Sequence, residues 1–131
     1  MKKNHSGYTL MEILITVVIL GVIASMSIPT FFSLVEDARR KEAIANLQVI
    51  RMGQKVYAAN NGGKFWDPGG AVAEATIDTK LNVDIDEMYF GSFNITTSAG
   101  GTKFNAQVTR NVKAGGNGST VVKINEAGTI T

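Results

Sequence analysis

Between Lys3 and Glu36 the chain carries a single charge, Glu12. Residues 13–35 form an uncharged, mostly apolar run of 23 residues, long enough to cross a bilayer as one helix. A carboxylate at the mouth of such a run is costly, so Glu12 either serves a function there or sits at the membrane interface with its head in water. The leading elements are also in the reverse of the order used for ordinary secretion. A secretory signal carries its small-residue cleavage site after the apolar region. Here the best processing point, Gly7 followed by the aromatic Tyr8, lies before it. A cut there removes Lys2 and Lys3 and leaves the apolar helix as the new N-terminus.

The 131 residues allow one domain plus a membrane segment, not two domains. Without Lys2 and Lys3 the 13 basic side chains fall to 11, against 11 acidic ones, so the processed chain is near neutral. A nucleic-acid binder should carry a basic excess or stripe, and none is present overall. Cysteine is absent, which excludes disulfides and thiolate metal sites but not export. The single histidine, His5, lies ahead of the processing point. Nucleophilic catalysis would have to rest on Ser with Lys or a carboxylate, and no motif presents one, so no enzymatic role and no cofactor are expected.

From Glu36 to Asn60 the chain has no Pro, one Gly (Gly53) and helical periodicity throughout. Ala45, Val49, Met52 and Val56 recur as one amphipathic stripe, and Ala43, Leu47, Ile50 and Tyr57 make its neighbour. Together they give the wide apolar face of a helix covered by a sheet on one side and by neighbours on another. Val49, Met52 and Val56 are expected to face the sheet. Glu36 with Arg40 and Asp37 with Lys41 are i,i+4 pairs with the acid first, so the run Arg39-Arg40-Lys41 reads as a solvated helix face. One helix from Tyr8 to Asn60 would be about 80 Å long, and half of it would have to project from so small a globule.

Asn60-Asn61-Gly62-Gly63 ends the helix, since Asn and Gly tolerate a left-handed C-cap. Asp67-Pro68-Gly69-Gly70 is a turn, and residues 71–81 contain a short helix. The period then changes to two. Phe93, Ile95 and Thr97 alternate with Asn94 and Thr96; Phe104, Ala106 and Val108 alternate with Asn105, Gln107 and Thr109. Ser98-Ala99-Gly100-Gly101 joins them as a hairpin. Residues 114–118 make a second turn, 120–125 a third strand, and Ala127-Gly128 leads into a short fourth. Such an antiparallel meander with one apolar face has to be covered, and the second half of the long helix is the cover.

The leading residues, Gly7-Tyr8-Thr9-Leu10-Met11-Glu12 followed by an apolar run with Gly21 and Pro29, resemble the type IV pilin and pseudopilin family. Tyr8 stands where Phe is more usual and Met11 where Leu or Ile is commoner; both keep the side-chain character. The likeness is specific over residues 6–60 and loose beyond. It implies cleavage by a prepilin peptidase between Gly7 and Tyr8, methylation of Tyr8, and an assembly role for Glu12, whose carboxylate would pair with the Tyr8 amine of a neighbour. It implies an α+β pilin fold, parsed here as a leader (1–7), a transmembrane and assembly helix (8–35) and a globular domain (36–131). That domain divides into a helix continuation (36–60), a connecting loop (61–88) and an antiparallel sheet (89–131). Gly21 and Pro29 would form a weak stretch where the helix kinks. Many type IV pilins close a C-terminal loop with a disulfide; this chain would hold that region by packing alone.

The partners implied are further copies of the chain in a helical homopolymer, the prepilin peptidase, the inner-membrane assembly machinery and the membrane itself. The N-terminus would be cytoplasmic and the rest exported, the filament ending at the cell surface or in the periplasm. The rival use of the same fold is a type II secretion pseudopilin. Calcium-binding pseudopilins place acidic ligands in a C-terminal loop, whereas Glu126 is the only acid here after Glu87. Asp84-Ile85-Asp86-Glu87 lacks the spacing of a calcium loop and reads as a solvated loop. A rival from another class is a secreted or anchored binding module, released by a cut after Ser25-Met26-Ser27 to start at Ile28. Asn94-Ile95-Thr96 and Asn117-Gly118-Ser119 fit the glycosylation pattern but also suit strand and turn. Phe65 and Trp66 read as a lid over the core.

Overall fold

The computed structural model describes residues 8–85, 89–110 and 121–131. Helix α1 spans Leu10–Asn60 and contributes to both compact units of the chain, Met1–Asp37 and Ala38–Thr131.

In the first unit every described side chain of residues 8–34 is exposed. The hydroxyl residues within it do not break the apolar surface. Thr16 donates to Ile13 O at 2.8 Å, Ser25 to Val22 O at 2.7 Å, Ser27 to Ile23 O at 3.0 Å and Ser33 to Thr30 O at 2.8 Å. These four hydroxyls are satisfied by their own helix and need no water, which suits the segment to an apolar medium.

The second unit builds its core by periodicity. Strands β1 (Gly70–Val72), β2 (Phe90–Ser98), β3 (Lys103–Arg110) and β4 (Val121–Asn125) form an antiparallel sheet in the order β1-β2-β3-β4. Phe93 and Ile95, Phe104, Ala106 and Val108, and Val122 and Ile124 point inward at alternate positions. Ala43, Leu47 and Ile50 of α1 and Ile77 and Leu81 of helix α2 (Glu74–Leu81) complete one cluster with them. Burying side chains of this size stabilises by roughly 1.5–3 kcal/mol each. The chain is therefore α+β, a long helix with a small antiparallel sheet sharing its core.

The face of α1 that meets this core is not the expected one. Ala43, Leu47, Ile50 and Gln54 are fully buried, Val49 is half-buried, and Met52 and Val56 remain 65% and 60% exposed. Either stripe was apolar enough; the outcome follows from Gly53 and Ala58, whose missing bulk lets the chain approach on the buried side. A Cβ on Gly53 would lie 2.8 Å from both Leu81 Cβ and Val83 Cγ1.

Helix α1 stops where the Asn-Gly-Gly stretch begins. Gly63 N–H donates to Ala58 O at 2.8 Å while Gly62 sits at φ +66, the 6→1 bond and left-handed residue of a Schellman cap. Asp67 then makes a local turn, its Oδ1 accepting from Gly69 N–H at 2.8 Å and its Oδ2 from the Thr97 hydroxyl at 2.6 Å. These two bonds, the Thr97 one first, hold its carboxyl below the ordinary value. The region expected as a connecting loop contains α2, as expected, and also β1, which pairs Val72 with Phe93. Phe65 stacks edge-on against Phe104 at 4.8 Å, and Trp66 packs beside the core, so the lid is present.

Two details bend the simple alternation. Phe90 and Phe93 are both fully buried although three apart, which a straight strand forbids. Ser92, at φ +58, is the extra residue of a bulge between the pairs Gly91–Thr109 and Phe93–Val108, and it turns Phe90 back inward. The β2–β3 hairpin closes through a one-turn 3-10 segment, Ala99–Gly101. The expected turn at 114–118, with Asn117, lies outside the described residues, as do Asp86 and Glu87. Ile85 is buried and Asp84 exposed.

The C-terminal return is short. Ile130 bridges Ile124, and Lys123 and Thr131 exchange both backbone bonds at 2.8 and 3.1 Å. Packing is not its only tie. Arg51 of α1 donates from Nε to Glu126 O at 3.1 Å and from its terminal NH2 to Ala127 O at 3.0 Å. A Cβ on Gly128 would fall 2.9 Å from the Arg51 guanidinium carbon, so glycine makes room for this tie. Arg39 likewise departs from the solvated face expected of it: half-buried, it lies over the Tyr89 ring at 4.5 Å from the centroid.

Leu47→Ala should cost the full-length protein about 2–5 kcal/mol in chemical denaturation in detergent, by loss of contacts and the cavity left. Met52→Ala should stay within about 0.5 kcal/mol. Gly53→Ala should destabilise by about 1–3 kcal/mol despite its better helix propensity, because the added methyl meets Leu81 and Val83. The reverse ranking of Leu47 and Met52 would put the other stripe on the sheet.

Candidate functional site

The residues singled out by the sequence concentrate at the start of α1. Leu10 is its first helical residue, which makes Thr9 the N-cap and Glu12 the third position. Glu12 N–H donates to Thr9 Oγ1 at 3.2 Å, and the Thr9 carbonyl accepts from Glu12 and Ile13 N–H at 3.1 and 3.3 Å. Thr9-Leu10-Met11-Glu12 therefore has the spacing of a capping box, in which Ser or Thr caps and an acid follows three residues later. The reading of Glu12 as an assembly residue overlooked this local role, although the Thr-x-x-Glu signature was there to be seen.

The cap has an electrostatic consequence. Glu12 sits in the first turn, where the helix presents its unsatisfied N–H groups and the positive end of its dipole, which favours a carboxylate there. In one isolated chain Glu12 and Tyr8 are both exposed, Tyr8 by 80%. Tyr8 and Glu12 thus stand at one helix end, each available to a group from outside the chain. Gly7, on the other side of the expected cleavage point, lies outside the described residues.

The assignment of α1 runs unbroken through Gly21 and Pro29, so neither residue ends the helix. A Cβ on Gly21 would meet nothing within 4 Å, so no contact in the isolated chain accounts for glycine there. Pro29 has no N–H to return to the carbonyl of Ser25. A shallow apolar groove lined by Met26, Ser27, Thr30, Phe31 and Leu34 lies along this part of the helix. Long and apolar enough to cross a membrane, α1 has none of its most apolar window buried. Among the described residues no group of three or more His, Cys, Asp or Glu is placed to hold a metal ion.

Comparison with known proteins agrees with this geometry. A family model described as the prokaryotic N-terminal methylation motif matches residues 2–28. The type II secretion system core protein G of Aeromonas hydrophila is 30% identical over 60 residues, 46% of this chain and 42% of that protein. That of Klebsiella pneumoniae is 34% identical over 59 residues, 45% of this chain and 42% of its own length. The type IV major pilin protein PilA of Myxococcus xanthus is 35% identical over 54 residues, 41% of this chain and 24% of that pilin. The aligned stretch thus spans less than half the length of these relatives. No solved structure matches the chain. The N-terminal segment carries the methylation motif, and the resemblance to pilins and pseudopilins covers less than half of the chain.

Thr9→Val should remove the side-chain cap and weaken the first turn by about 1 kcal/mol. Hydrogen exchange in detergent should then show faster exchange at the Glu12 amide, with the amides of residues 43–58 unchanged. Equal Glu12 protection in both proteins would mean that the Thr9 hydroxyl contributes nothing to helix initiation.

Proposed function

We propose that this chain is a structural subunit of a type IV pilus-like filament. It waits in the inner membrane with its N-terminus in the cytoplasm and its second unit exported, anchored through residues 13–35. A prepilin peptidase cuts between Gly7 and Tyr8, and Tyr8 is methylated. The assembly machinery then polymerises the subunits through their apolar helices into a helical homopolymer. Head-to-tail contacts that do not close give such filaments. The observation that carries this reading is the methylation motif at residues 2–28 on a helix whose most apolar window is wholly unburied.

Within the filament Glu12 accepts from the Tyr8 amine of a neighbouring copy. A pair of this kind sets register even where its net stabilisation is small, because either charge left alone in an apolar setting costs several kcal/mol. The Gly21 and Pro29 stretch, short of one backbone donor and weakened by a glycine, is where the helix kinks as subunits pack. The subunit has no catalytic role.

A second reading is favoured by the core protein G relatives: the same subunit used in a short periplasmic filament of a type II secretion system. Imaging of material sheared from cells separates the two. Long surface filaments containing this chain support the pilus, and their absence from cells that secrete through such a system supports the pseudopilin.

Intact-mass analysis of native protein should find a chain that begins at N-methylated Tyr8. A start at Ile28 would mean release of a soluble module, and an unprocessed Met1 in cells with active peptidase would remove the filament reading. Glu12→Ala should leave the subunit inserted and cleaved but lower filament yield at least tenfold, since each 1.4 kcal/mol is a factor of ten. Hydrophobicity alone predicts the opposite sign, because losing a charge makes the helix a better membrane segment. A yield at or above that of the unsubstituted chain would make Glu12 a bystander.

A further inference from the structure

Two asparagines of the chain, Asn61 and Asn117, are followed by glycine. Asn117 lies outside the described residues; Asn61 is exposed just past the end of α1. The next backbone N–H, that of Gly62, donates to nothing among the described residues. Its neighbours are engaged, since Asn61 N–H and Gly63 N–H both go to Ala58 O, at 3.1 and 2.8 Å. Gly62 stands at φ +66, and a Cβ built on it would meet nothing within 4 Å, so no distant part of the fold crowds this turn. Other asparagines are followed by an N–H that is taken. Asn60 precedes the bonded Asn61 N–H, and Asn82 precedes Val83, whose N–H donates to Asp78 O at 3.2 Å.

We propose that Asn61 is a site of spontaneous covalent modification, deamidation through a cyclic imide formed with the Gly62 nitrogen. Gly62 N gives its proton to water or hydroxide and bonds to Asn61 Cγ. The bond from Cγ to Nδ2 then breaks, and Nδ2 takes up a proton and leaves as ammonia. Water opens the imide at either carbonyl. Opening at Cγ restores the ordinary backbone with an aspartate; opening at the main-chain carbonyl gives isoaspartate, with the chain running through Cβ and Cγ. The sum is an amide and water giving an acid and ammonia, with no oxidant, reductant or further reactant. Glycine suits the attack because no side chain shields its nitrogen. The Asn61 carboxamide is held by one bond, Nδ2 donating to Tyr57 O at 2.8 Å. At an exposed helix end such a bond opens at little cost, so it sets the pace of the reaction without barring it.

The product alters the end of α1. A carboxylate at position 61 cannot donate to Tyr57 O, and its charge opposes the negative end of the helix dipole. In the isoaspartate form the backbone gains a methylene between the two N–H groups that share Ala58 O. The cap thus loosens where the chain leaves the helix for Phe65 and Trp66, the lid over the core.

Trypsin, which cuts after Lys and Arg, separates the two Asn-Gly steps into peptides 56–64 and 114–123. Full-length protein kept folded in detergent in a mildly alkaline buffer should convert residue 61 to a mixture of aspartate and isoaspartate. Peptide mass against an unincubated sample shows a carboxyl in place of a carboxamide, and fragment ions separate position 61 from Asn60. Conversion should exceed that at Asn60, Asn82, Asn94, Asn105 and Asn125 in the same sample. Gly62→Ala should slow it by about tenfold, which corresponds to a barrier ~1.4 kcal/mol higher. Gly63→Ala puts comparable backbone strain one residue further on, at φ +82, but leaves the Gly62 nitrogen bare, so it should not slow the reaction. Aspartate without isoaspartate, equal slowing by both variants, or conversion no greater than at Asn60 overturns the proposal.

Discussion

The apolar surface of residues 13–34 has to be taken up by something outside the folded chain. Each large side chain left in water there forgoes about 1.5–3 kcal/mol, and they are exposed along the helix. In the proposed function a bilayer supplies the cover before assembly, and other copies supply it in the filament. Transfer from lipid to neighbouring helices gains little from hydrophobicity, since lipid tails are as apolar as leucine. Under that proposal, selection between neighbours falls on close packing and on the few polar groups carried along, Glu12 foremost.

The second unit has to fold without a disulfide, and it does so around one turn of α1. Arg51, Gly53 and Gln54 each attach a different piece of chain. Arg51 holds the turn at Glu126 and Ala127, Gly53 admits Leu81 and Val83, and Gln54 binds Trp66. Three attachments within four residues leave on different sides of the helix, as about 100° per residue requires. They join the C-terminal turn, the end of α2 and the lid segment to the element that also carries the core side chains.

Strong periodicity and turn chemistry were legible in the sequence. The helix to Asn60, its glycine-rich stop, the short helix after Pro68, the hairpin at residues 98–101 and the inward sets of β2 and β3 were all expected, and all are present. What escaped depends on partners far along the chain. Strand β1 is three residues, Gly-Ala-Val, too short to display a period, and exists because β2 offers it an edge. Ser92 has no propensity for a left-handed bulge; Phe90 and Phe93 require one between them. Arg39 reads as a surface charge until Tyr89 is placed beneath it. At the candidate site the apolar run and Glu12 were plain, while the Thr9 cap shows only once Leu10 is placed as the first helical residue.

The choice of face on α1 turns on Gln54. A polar residue in the Leu47–Ile50 stripe argues against burying that side, since an amide without partners in the interior costs a few kcal/mol. Yet Gln54 is fully buried, with its Nε2 donating to Trp66 O and its Oε1 accepting from Trp66 N–H, both at 2.9 Å. That two-way bond reproduces a step of β pairing between a side chain and the backbone, and it exists only if the segment after Gly63 crosses the helix at this level. Packing the sheet on Met52 and Val56 instead would forfeit the fit at Gly53 and the Trp66 tie together. The two bonds thus offset the burial of the amide in the observed arrangement, and the Met52 and Val56 side of the helix stays exposed.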